Sequence, residues 1–167
     1  IIHKALSQAV SVGYLKSNPA DTCILPKKQK KEMCVLNEVQ TKEFLKAIEG
    51  DRYERLFLVA LFTGMREGEL LGLTWDAVDF EAGTIRVYQQ VQSVKGKRTL
   101  MLPKNGKPRT IVPPAYVMDV LRQEKTAQAE KRLLAGPVWV AENCVFSDDL
   151  GNFLSARSIY GRFKKIV

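Results

Sequence analysis

The sequence predicts an α+β fold in which helices form most of the core and a small three-stranded antiparallel sheet packs against one side. Three observations lead to this prediction. Apolar residues make up 46% of the 167 residues, which is enough to bury one sizeable core. Most of the chain repeats apolar residues at helical spacing, whereas short segments between residues 84 and 112 alternate as strands do.

Six helices are predicted, each bounded by residues that start or stop a helix. In chain order they are an opening helix that ends at Gly13, a helix from Asn37 to Gly50, Arg52–Phe62, Arg66–Leu73, Ala115–Leu134 and a last helix that begins after Ser155. Asn37 and Gln40 fit the capping-box pattern. The predicted strands are Thr84–Gln90, Thr99–Leu102 and Arg109–Val112, and their tight connections predict an antiparallel meander.

The chain is predicted to contain parts of two folded units. Residues 1–22 are the end of one helical unit, residues 23–36 form a basic linker without apolar periodicity, and residues 37–167 form the main unit. The chain opens with Ile1-Ile2-His3 and has no initiating Met, so we expect it to be part of a longer polypeptide.

Composition argues against a membrane, secreted or zinc-binding protein. The longest apolar run lies near Leu56–Phe62, far short of the roughly 20 residues that a membrane span needs. No signal peptide is visible. Three cysteines without a Cys-x-x-Cys pair, and His3 as the only histidine, predict reduced thiols in the cytoplasm and no zinc site.

Positive charge is concentrated in two segments. The chain has 26 Lys and Arg against 18 Asp and Glu, a net charge of +8. Lys27–Glu32 contains four lysines, and Lys95–Arg109 contains six basic residues and no acidic one, whereas Asp51–Gly83 has seven acidic and three basic residues. Such clustering is typical of a nucleic-acid-binding protein and predicts a nucleic acid as a partner. The alternative is that these lysines only solvate the surface.

The basic residues predicted to contact nucleic-acid phosphates lie in these two segments. They are Lys27, Lys28, Lys30, Lys31, Lys95, Lys97, Arg98, Lys107 and Arg109.

The segment Thr63–Phe80, TGMREGELLGLTWDAVDF, is the most informative for chemistry. Arg66 lies at the start of a predicted helix, where the helix dipole adds to its positive charge and favours a bound phosphate. Glu69 follows three residues later on the same helical face, so its carboxylate can hold the guanidinium in one orientation. Taken alone, such a pair is more often a surface ion pair that contributes little stability.

The whole segment resembles the first arginine motif of the tyrosine recombinases, the family of phage integrases and Xer recombinases. The residues that match G-[LM]-R-x-x-E-L-x-x-L-x-W are Gly64, Met65, Arg66, Glu69, Leu70, Leu73 and Trp75. The resemblance extends from about Leu36 to the end of the chain. It implies that Arg66 binds the scissile DNA phosphate and that Glu69 supports the active site.

A second family element follows, the β-hairpin that carries a catalytic lysine. The segment Pro103–Pro113, PKNGKPRTIVP, resembles it, with Lys104 as the better match and Lys107 as the main competitor. Lysine suits this role because nearby cations lower its pKa, so that it can protonate a departing alkoxide. The alternative is that both lysines are solubilising residues at a strand edge.

The remaining active-site elements of the family are missing from this sequence. The family has a His-x-x-Arg motif, a later His or Trp, and a nucleophilic tyrosine near its C-terminus. Tyr160 precedes the position where the His-x-x-Arg motif would begin, so we expect it to pack beside Phe163 in the last helix. The resemblance therefore implies a catalytic domain truncated on its C-terminal side and inactive by itself.

For the intact protein, the resemblance implies duplex DNA as the partner and site-specific DNA recombination or integration in a bacterium or phage. A tyrosine would attack a DNA phosphate, Arg66 would stabilise the charge on its oxygens, and Lys104 would protonate the leaving sugar oxygen. No metal, cofactor or small-molecule substrate is expected, and the sequence has no glycine-rich phosphate loop.

The resemblance also assigns the two units and the assembly. Residues 1–22 would end the family's core-binding domain, residues 37–167 would be a partial catalytic domain, and the intact protein would self-associate as a tetramer on DNA. Two alternatives remain open: a non-catalytic DNA-binding regulator derived from an integrase, and an unrelated α+β interaction protein with basic surface patches.

Overall fold

The computed structural model describes residues 1–24, 26, 35–94, 97–102, 106–140 and 142–167. The chain divides into two compact units, Ile1–Val35 and Leu36–Val167. In the first unit, helix α1 (Ile2–Ser11) ends just before Gly13, as predicted. The Asn18 side-chain amide donates hydrogen bonds to the His3 carbonyl and the Ser7 hydroxyl, which ties the following turn to the helix.

The second unit is α+β and mostly helical, as the sequence predicts. Its described helices are α2 (Glu38–Ile48), α3 (Glu54–Thr63), α4 (Glu67–Leu71), α5 (Ala115–Ala135) and α6 (Ala156–Ile166), with single 3-10 turns at Trp75–Ala77 and Gly136–Val138. Its described strands are β1 (Val78–Asp79), β2 (Thr84–Val87), β3 (Gln90–Val94), β4 (Lys97–Met101) and β5 (Arg109–Ile111).

The small antiparallel sheet has three strands, but they are not the three consecutive strands of the predicted meander. Its order is β1-β2-β5, while β3 and β4 form a separate hairpin. The predicted strand Thr84–Gln90 is divided because Gln89 leaves the ladder. Its side-chain amide donates to the Gly72 carbonyl and to the Thr74 hydroxyl, and the chain changes direction there. The meander prediction is therefore wrong, because alternation of residue types does not reveal such a break.

The core of the second unit lies between the long helices and one face of the sheet. Its fully buried apolar side chains are Ile48, Val59, Ile85, Val87, Val117, Leu121 and Val145. Helix α2 begins with the predicted capping box, in which the Gln40 amide donates to Asn37 Oδ1 at 2.8 Å and the Asn37 amide donates to Gln40 Oε1 at 3.0 Å. Leu70 and Leu73 are also buried, so the short helix α4 is anchored in this core.

Helix α6 packs on the core through Ile159, Phe163 and Ile166. The rings of Phe163 and Phe44 lie 5.9 Å apart between centroids. Tyr160 is 57% exposed, and the Lys164 ammonium lies 5.5 Å from its ring centroid, so the prediction that Tyr160 packs beside Phe163 is wrong. One helical step from Ile159 turns its side chain away from the buried stripe.

Strand β3 approaches helix α4 at two glycines. A Cβ atom on Gly72 would lie 2.7 Å from the Val91 backbone nitrogen and 2.9 Å from the Gln90 carbonyl carbon, and one on Gly68 would lie 3.1 Å from the Val91 carbonyl oxygen. The φ angle of Gly72 is −97°, which any residue can adopt, so the close approach and not the backbone conformation requires glycine here. The β3–β4 hairpin therefore rests directly on α4.

This close approach predicts the effect of adding one methyl group. Gly72→Ala should destabilise the protein by about 1–3 kcal/mol, because the backbone of β3 must move away from α4. The matched control is Gly161→Ala in α6, where a Cβ meets nothing within 4 Å. There alanine should be neutral or stabilise by up to about 1 kcal/mol. Urea unfolding of both variants measures the difference, and equal stabilities would contradict the packing described.

Candidate active site

Helix α4 and strand β5 bring two arginines and one glutamate together. Gly64 adopts the left-handed conformation that ends α3, with φ of 61°. The chain then extends through Arg66, which is the N-cap of α4. Glu69 lies in the first turn of this helix, and Arg109 is the first residue of β5. We call these three residues the Arg66–Glu69–Arg109 cluster.

Glu69 is the centre of the cluster and is only 1% exposed. Arg109 donates from both terminal nitrogens, with Nη1 2.8 Å from Glu69 Oε1 and Nη2 2.6 Å from Oε2. Arg66 donates from Nη1 to Oε1 at 3.0 Å and from its backbone nitrogen to Oε2 at 3.0 Å. Each carboxylate oxygen thus accepts two hydrogen bonds, so the buried charge is fully compensated.

These contacts keep Glu69 ionised. The hydrogen bond from Arg109 lowers the pKa of Glu69 most strongly; burial raises it, and the backbone and side-chain bonds from Arg66 lower it further, to about 2. The same contact raises the pKa of the Arg109 guanidinium. With one negative and two positive groups, the cluster carries a net positive charge at neutral pH.

The two guanidinium groups of the cluster reach the surface although their shared carboxylate does not. The side chain of Arg66 is 57% exposed and that of Arg109 is 39% exposed. Arg66 has five N–H donors on its guanidinium. Within the described ranges, only one of them has a protein acceptor, which is Glu69. The others are available to an anion with several oxygen atoms, such as a phosphate, whose geometry the guanidinium matches.

A second polar network links the end of β2 to the turn after Trp75. The Tyr88 hydroxyl donates to the Asp76 carboxylate, and the Asn143 amide donates to Asp76 Oδ1 at 2.9 Å. The bond from Tyr88 lowers the pKa of Asp76, and the bond to Asp76 raises the pKa of Tyr88. Tyr88 is therefore held as a neutral phenol, which makes it a poor nucleophile.

Comparison with known proteins identifies the family. Residues 34–167 match the profile of the phage integrase family. The chain belongs to the phage integrase family. Among its relatives it is 33% identical over 178 residues to the "Tyrosine recombinase XerC-like" protein of Caldanaerobacter subterraneus subsp. tengcongensis, covering 95% of this chain and 46% of that protein. It is 29% identical over 176 residues to the "Integrase" of Streptomyces ambofaciens, covering 99% of this chain and 44% of that protein.

Solved structures show the same fold. The Tn1549 transposon integrase in complex with transposon right end DNA superposes with a TM-score of 0.82 at 24% identity, covering 99% of this chain and 54% of that one. The XerA recombinase superposes with a TM-score of 0.59 at 20% identity, covering 82% and 43%. The chain spans about half the length of the relatives that it matches. The family resemblance of the Arg66 segment is thus confirmed.

The structure brings some of the predicted site residues of this integrase-family chain together. Arg66 and Glu69 are in contact, as their spacing predicts. Arg109, predicted only as a DNA-binding residue, joins them through Glu69. Lys104 lies outside the described residues, and so do the predicted DNA-binding residues Lys27, Lys28, Lys30, Lys31 and Lys95. The catalytic and DNA-binding roles of all these residues remain predictions.

The other predicted DNA-binding residues lie on or near the hairpin. Lys97 and Arg98 are on β4, whose five residues are all exposed. Arg98 donates from Nη1 to the Phe153 carbonyl, which connects the hairpin to the segment before α6. Lys107 is exposed just before β5.

The described residues contain no other obvious chemical centre. They include no group of three or more His, Cys, Asp or Glu side chains arranged to hold a metal ion. Cys144 is buried, and burial raises the pKa of its thiol to about 12, so it is unreactive at neutral pH. None of the described helices is both long and apolar enough to cross a membrane.

The low pKa of Glu69 predicts a pH-dependent contribution to stability. The folded-state pKa, about 2, lies below the ordinary value of 4.5, so the contribution is complete above pH 4.5 and is lost as pH falls towards 2. Glu69→Gln should reduce the free energy of unfolding by about 2–3 kcal/mol at pH 6, because two arginines lose their shared counter-ion. The difference from wild type should shrink steadily between pH 4.5 and pH 2.5.

Urea unfolding at pH 6, pH 4 and pH 3 measures this difference. A matched control is Glu38→Gln, because Glu38 is exposed and its ion-pair partner among the described residues is Lys42, one turn further along α2. That variant should change stability little. A Glu69→Gln effect of the same size at every pH would contradict the ionic account of the cluster.

Proposed function

We propose that the protein containing this chain is a site-specific tyrosine recombinase that cleaves and rejoins duplex DNA through a phosphotyrosyl intermediate. The observation that carries the proposal is the Arg66–Glu69–Arg109 cluster. The cluster presents exposed guanidinium donors beside a buried carboxylate, and all three residues lie within the region that matches the phage integrase family. Arg66 and Glu69 also belong to the segment that resembles the family's first arginine motif.

The proposed role of Arg66 follows from where charge develops during phosphoryl transfer. When a nucleophile adds to a phosphodiester, negative charge grows on the non-bridging oxygens. Glu69 accepts hydrogen bonds from both the backbone N–H and the guanidinium of Arg66 before any substrate binds, so Arg66 needs little reorganisation to meet that charge. Glu69 acts through Arg66 and does not itself touch the phosphate, because its carboxylate is buried.

Lys104 is the proposed general acid for the leaving sugar oxygen. It precedes Arg109 by five residues in the sequence, and Arg109 is bonded to the same carboxylate as Arg66. The segment of sequence that contains Lys104 therefore leads directly to a residue of the cluster. Lys107 remains the competing candidate, and its exposed position is equally compatible with a phosphate contact.

We propose that the nucleophile is not among the tyrosines of this chain. Two observations support this: the chain spans about half of its relatives, and the Tyr88 hydroxyl is engaged by Asp76. Tyr160, on the exposed side of α6, has neither a histidine nor a second arginine motif after it in this sequence. The chain alone is thus proposed to be inactive in DNA cleavage.

The proposed DNA contacts use the hairpin and the basic linker. Lys97 and Arg98 stand on a strand that is exposed along its whole length, which suits contact with a phosphate backbone. Residues 1–22 are proposed to end the core-binding domain and residues 37–167 to belong to the catalytic domain. Relatives solved with DNA, including the Tn1549 transposon integrase, support duplex DNA as the partner.

We also propose that the intact protein forms a tetramer on DNA and is located in the bacterial cytoplasm.

The second candidate is a DNA-binding regulator without catalytic activity. A regulator needs exposed cations for phosphate contacts, but it does not need a buried carboxylate that accepts four hydrogen bonds from two arginines. The arrangement of the cluster therefore favours the enzyme. Strand cleavage is the observation that separates the two candidates.

We predict the following for a full-length protein that carries this chain, incubated with a nicked suicide substrate and analysed on denaturing gels. Arg66→Ala should reduce covalent complex formation by about 10²–10³-fold, because a preorganised donor to the transition state is lost. Lys104→Ala should slow cleavage by about 10²–10⁴-fold, and a substrate with a sulfur leaving atom should restore it, because a thiolate leaves without a proton.

Lys107→Ala is the matched control for the general acid. At saturating protein, where a lost phosphate contact does not limit the rate, it should cleave the ordinary substrate at nearly the wild-type rate. If the substrate with a sulfur leaving atom restored cleavage by Lys107→Ala but not by Lys104→Ala, Lys107 and not Lys104 would be the general acid. No covalent product with the wild-type protein would instead favour the regulator.

A further inference from the structure

The side chain of Arg109 makes more hydrogen bonds to Glu69 than the side chain of Arg66 does. The two terminal nitrogens of Arg109 lie 2.8 Å and 2.6 Å from the two carboxylate oxygens, which is the bidentate fork geometry. The Arg66 side chain makes a single bond of 3.0 Å to one oxygen. The guanidinium of Arg66, the more exposed of the two, is therefore the one that makes fewer hydrogen bonds to the carboxylate.

A carboxylate three residues after an arginine would otherwise compete with any phosphate for that arginine. Without Arg109, both oxygens of Glu69 could accept hydrogen bonds from the guanidinium of Arg66. Such a bidentate pair would direct the Arg66 donors towards the buried carboxylate and away from a phosphate at the surface. We propose that Arg109 is a positioning residue that satisfies Glu69 and thereby keeps the Arg66 guanidinium available to a DNA phosphate. The identity of the anion rests on the proposed function; the positioning effect does not.

Strand pairing, and not the contact with Arg66 through Glu69, determines the backbone position of Arg109. Arg109 pairs with Val87 in the ladder between β5 and β2, and Val87 is buried in the core. Two residues further along, Ile111 pairs with the fully buried Ile85. The backbone of Arg109 is thus fixed by the sheet. A substitution of its side chain should therefore remove the hydrogen bonds to Glu69 and leave the packing of the core in place.

The alternative is that Arg109 contacts DNA by itself, which is the role that charge alone predicts. Its side chain is 39% exposed and keeps further N–H donors beyond the two that Glu69 accepts. The two roles differ in one respect. A positioning residue acts only when Arg66 is present, whereas a direct contact contributes whether or not Arg66 is present.

A double-mutant cycle on the 167-residue chain separates these roles. Affinity for a short duplex is measured by fluorescence anisotropy at low salt for Arg66→Ala, Arg109→Gln and the double variant. The charge control is Arg86→Gln, since Arg86 is exposed on neighbouring β2 and lies over the Tyr88 ring. Circular dichroism checks that each variant is folded. If Arg109→Gln does not fold, Arg109→Lys takes its place in the cycle.

We expect Arg66→Ala and Arg109→Gln each to weaken binding by about tenfold, the loss of one charge-assisted hydrogen bond to phosphate. In the Arg66→Ala background, Arg109→Gln should weaken binding no more than Arg86→Gln does. Arg109→Lys should also weaken binding although it keeps the charge, because an ammonium does not reproduce the fork. Full additivity of Arg66→Ala and Arg109→Gln would overturn the inference.

A second measurement does not involve DNA. The side-chain carboxyl resonance of Glu69 is followed by carbon-13 NMR as a function of pH. Arg109→Gln should move its titration to higher pH, since the strongest stabiliser of the charged form is gone and burial remains, whereas Arg86→Gln should leave it unchanged. An unchanged Glu69 titration in Arg109→Gln would overturn the inference. A shifted titration together with no DNA binding by wild type would instead overturn the proposed function and leave the positioning effect standing.

Discussion

A buried carboxylate bonded to two arginines is the interaction on which the rest of this structure depends. Glu69 is almost fully inaccessible, and a bare charge there would cost several kcal/mol. Four hydrogen bonds compensate it, and they come from a helix N-terminus and from the first residue of a strand 40 residues later in the chain. The Arg66–Glu69–Arg109 cluster therefore fixes the position of helix α4 relative to strand β5. It also leaves an excess of positive charge at the surface.

Helix α4 is short, yet it is contacted from several sides. Leu70 and Leu73 anchor its segment in the core, and Gly72 allows β3 to approach its backbone closely. The chain between β2 and β5 leaves the small sheet, passes over α4 as the β3–β4 hairpin and returns at Arg109. Both ends of this excursion are thus tied to the helix that carries Arg66. A site that must align groups from two segments benefits from such a shared support.

What the sequence predicts correctly is local. The capping box of Asn37 and Gln40, the long helix α5 and the contact of Arg66 with Glu69 all depend on residues within a few positions of each other. What it misses depends on distant partners. No spacing rule connects Arg109 to Glu69, and the side chain of Gln89 bonds to Gly72 and Thr74 instead of continuing a strand. The exposure of Tyr160 can be predicted from helical phase, since Ile159, Phe163 and Ile166 define the buried stripe of α6.

Arg66, held in place by Glu69, is proposed to bind a DNA phosphate. The most direct test follows the Nε–Hε resonance of Arg66 by nitrogen-15 NMR while a short DNA duplex is added at low salt. Arg55 is the internal reference, because its Nε already donates to Glu124 at 2.6 Å. The account predicts that the Arg66 resonance shifts and saturates with DNA while the Arg55 resonance does not move. An Arg66 resonance that stays unchanged while the rest of the protein binds DNA would contradict it.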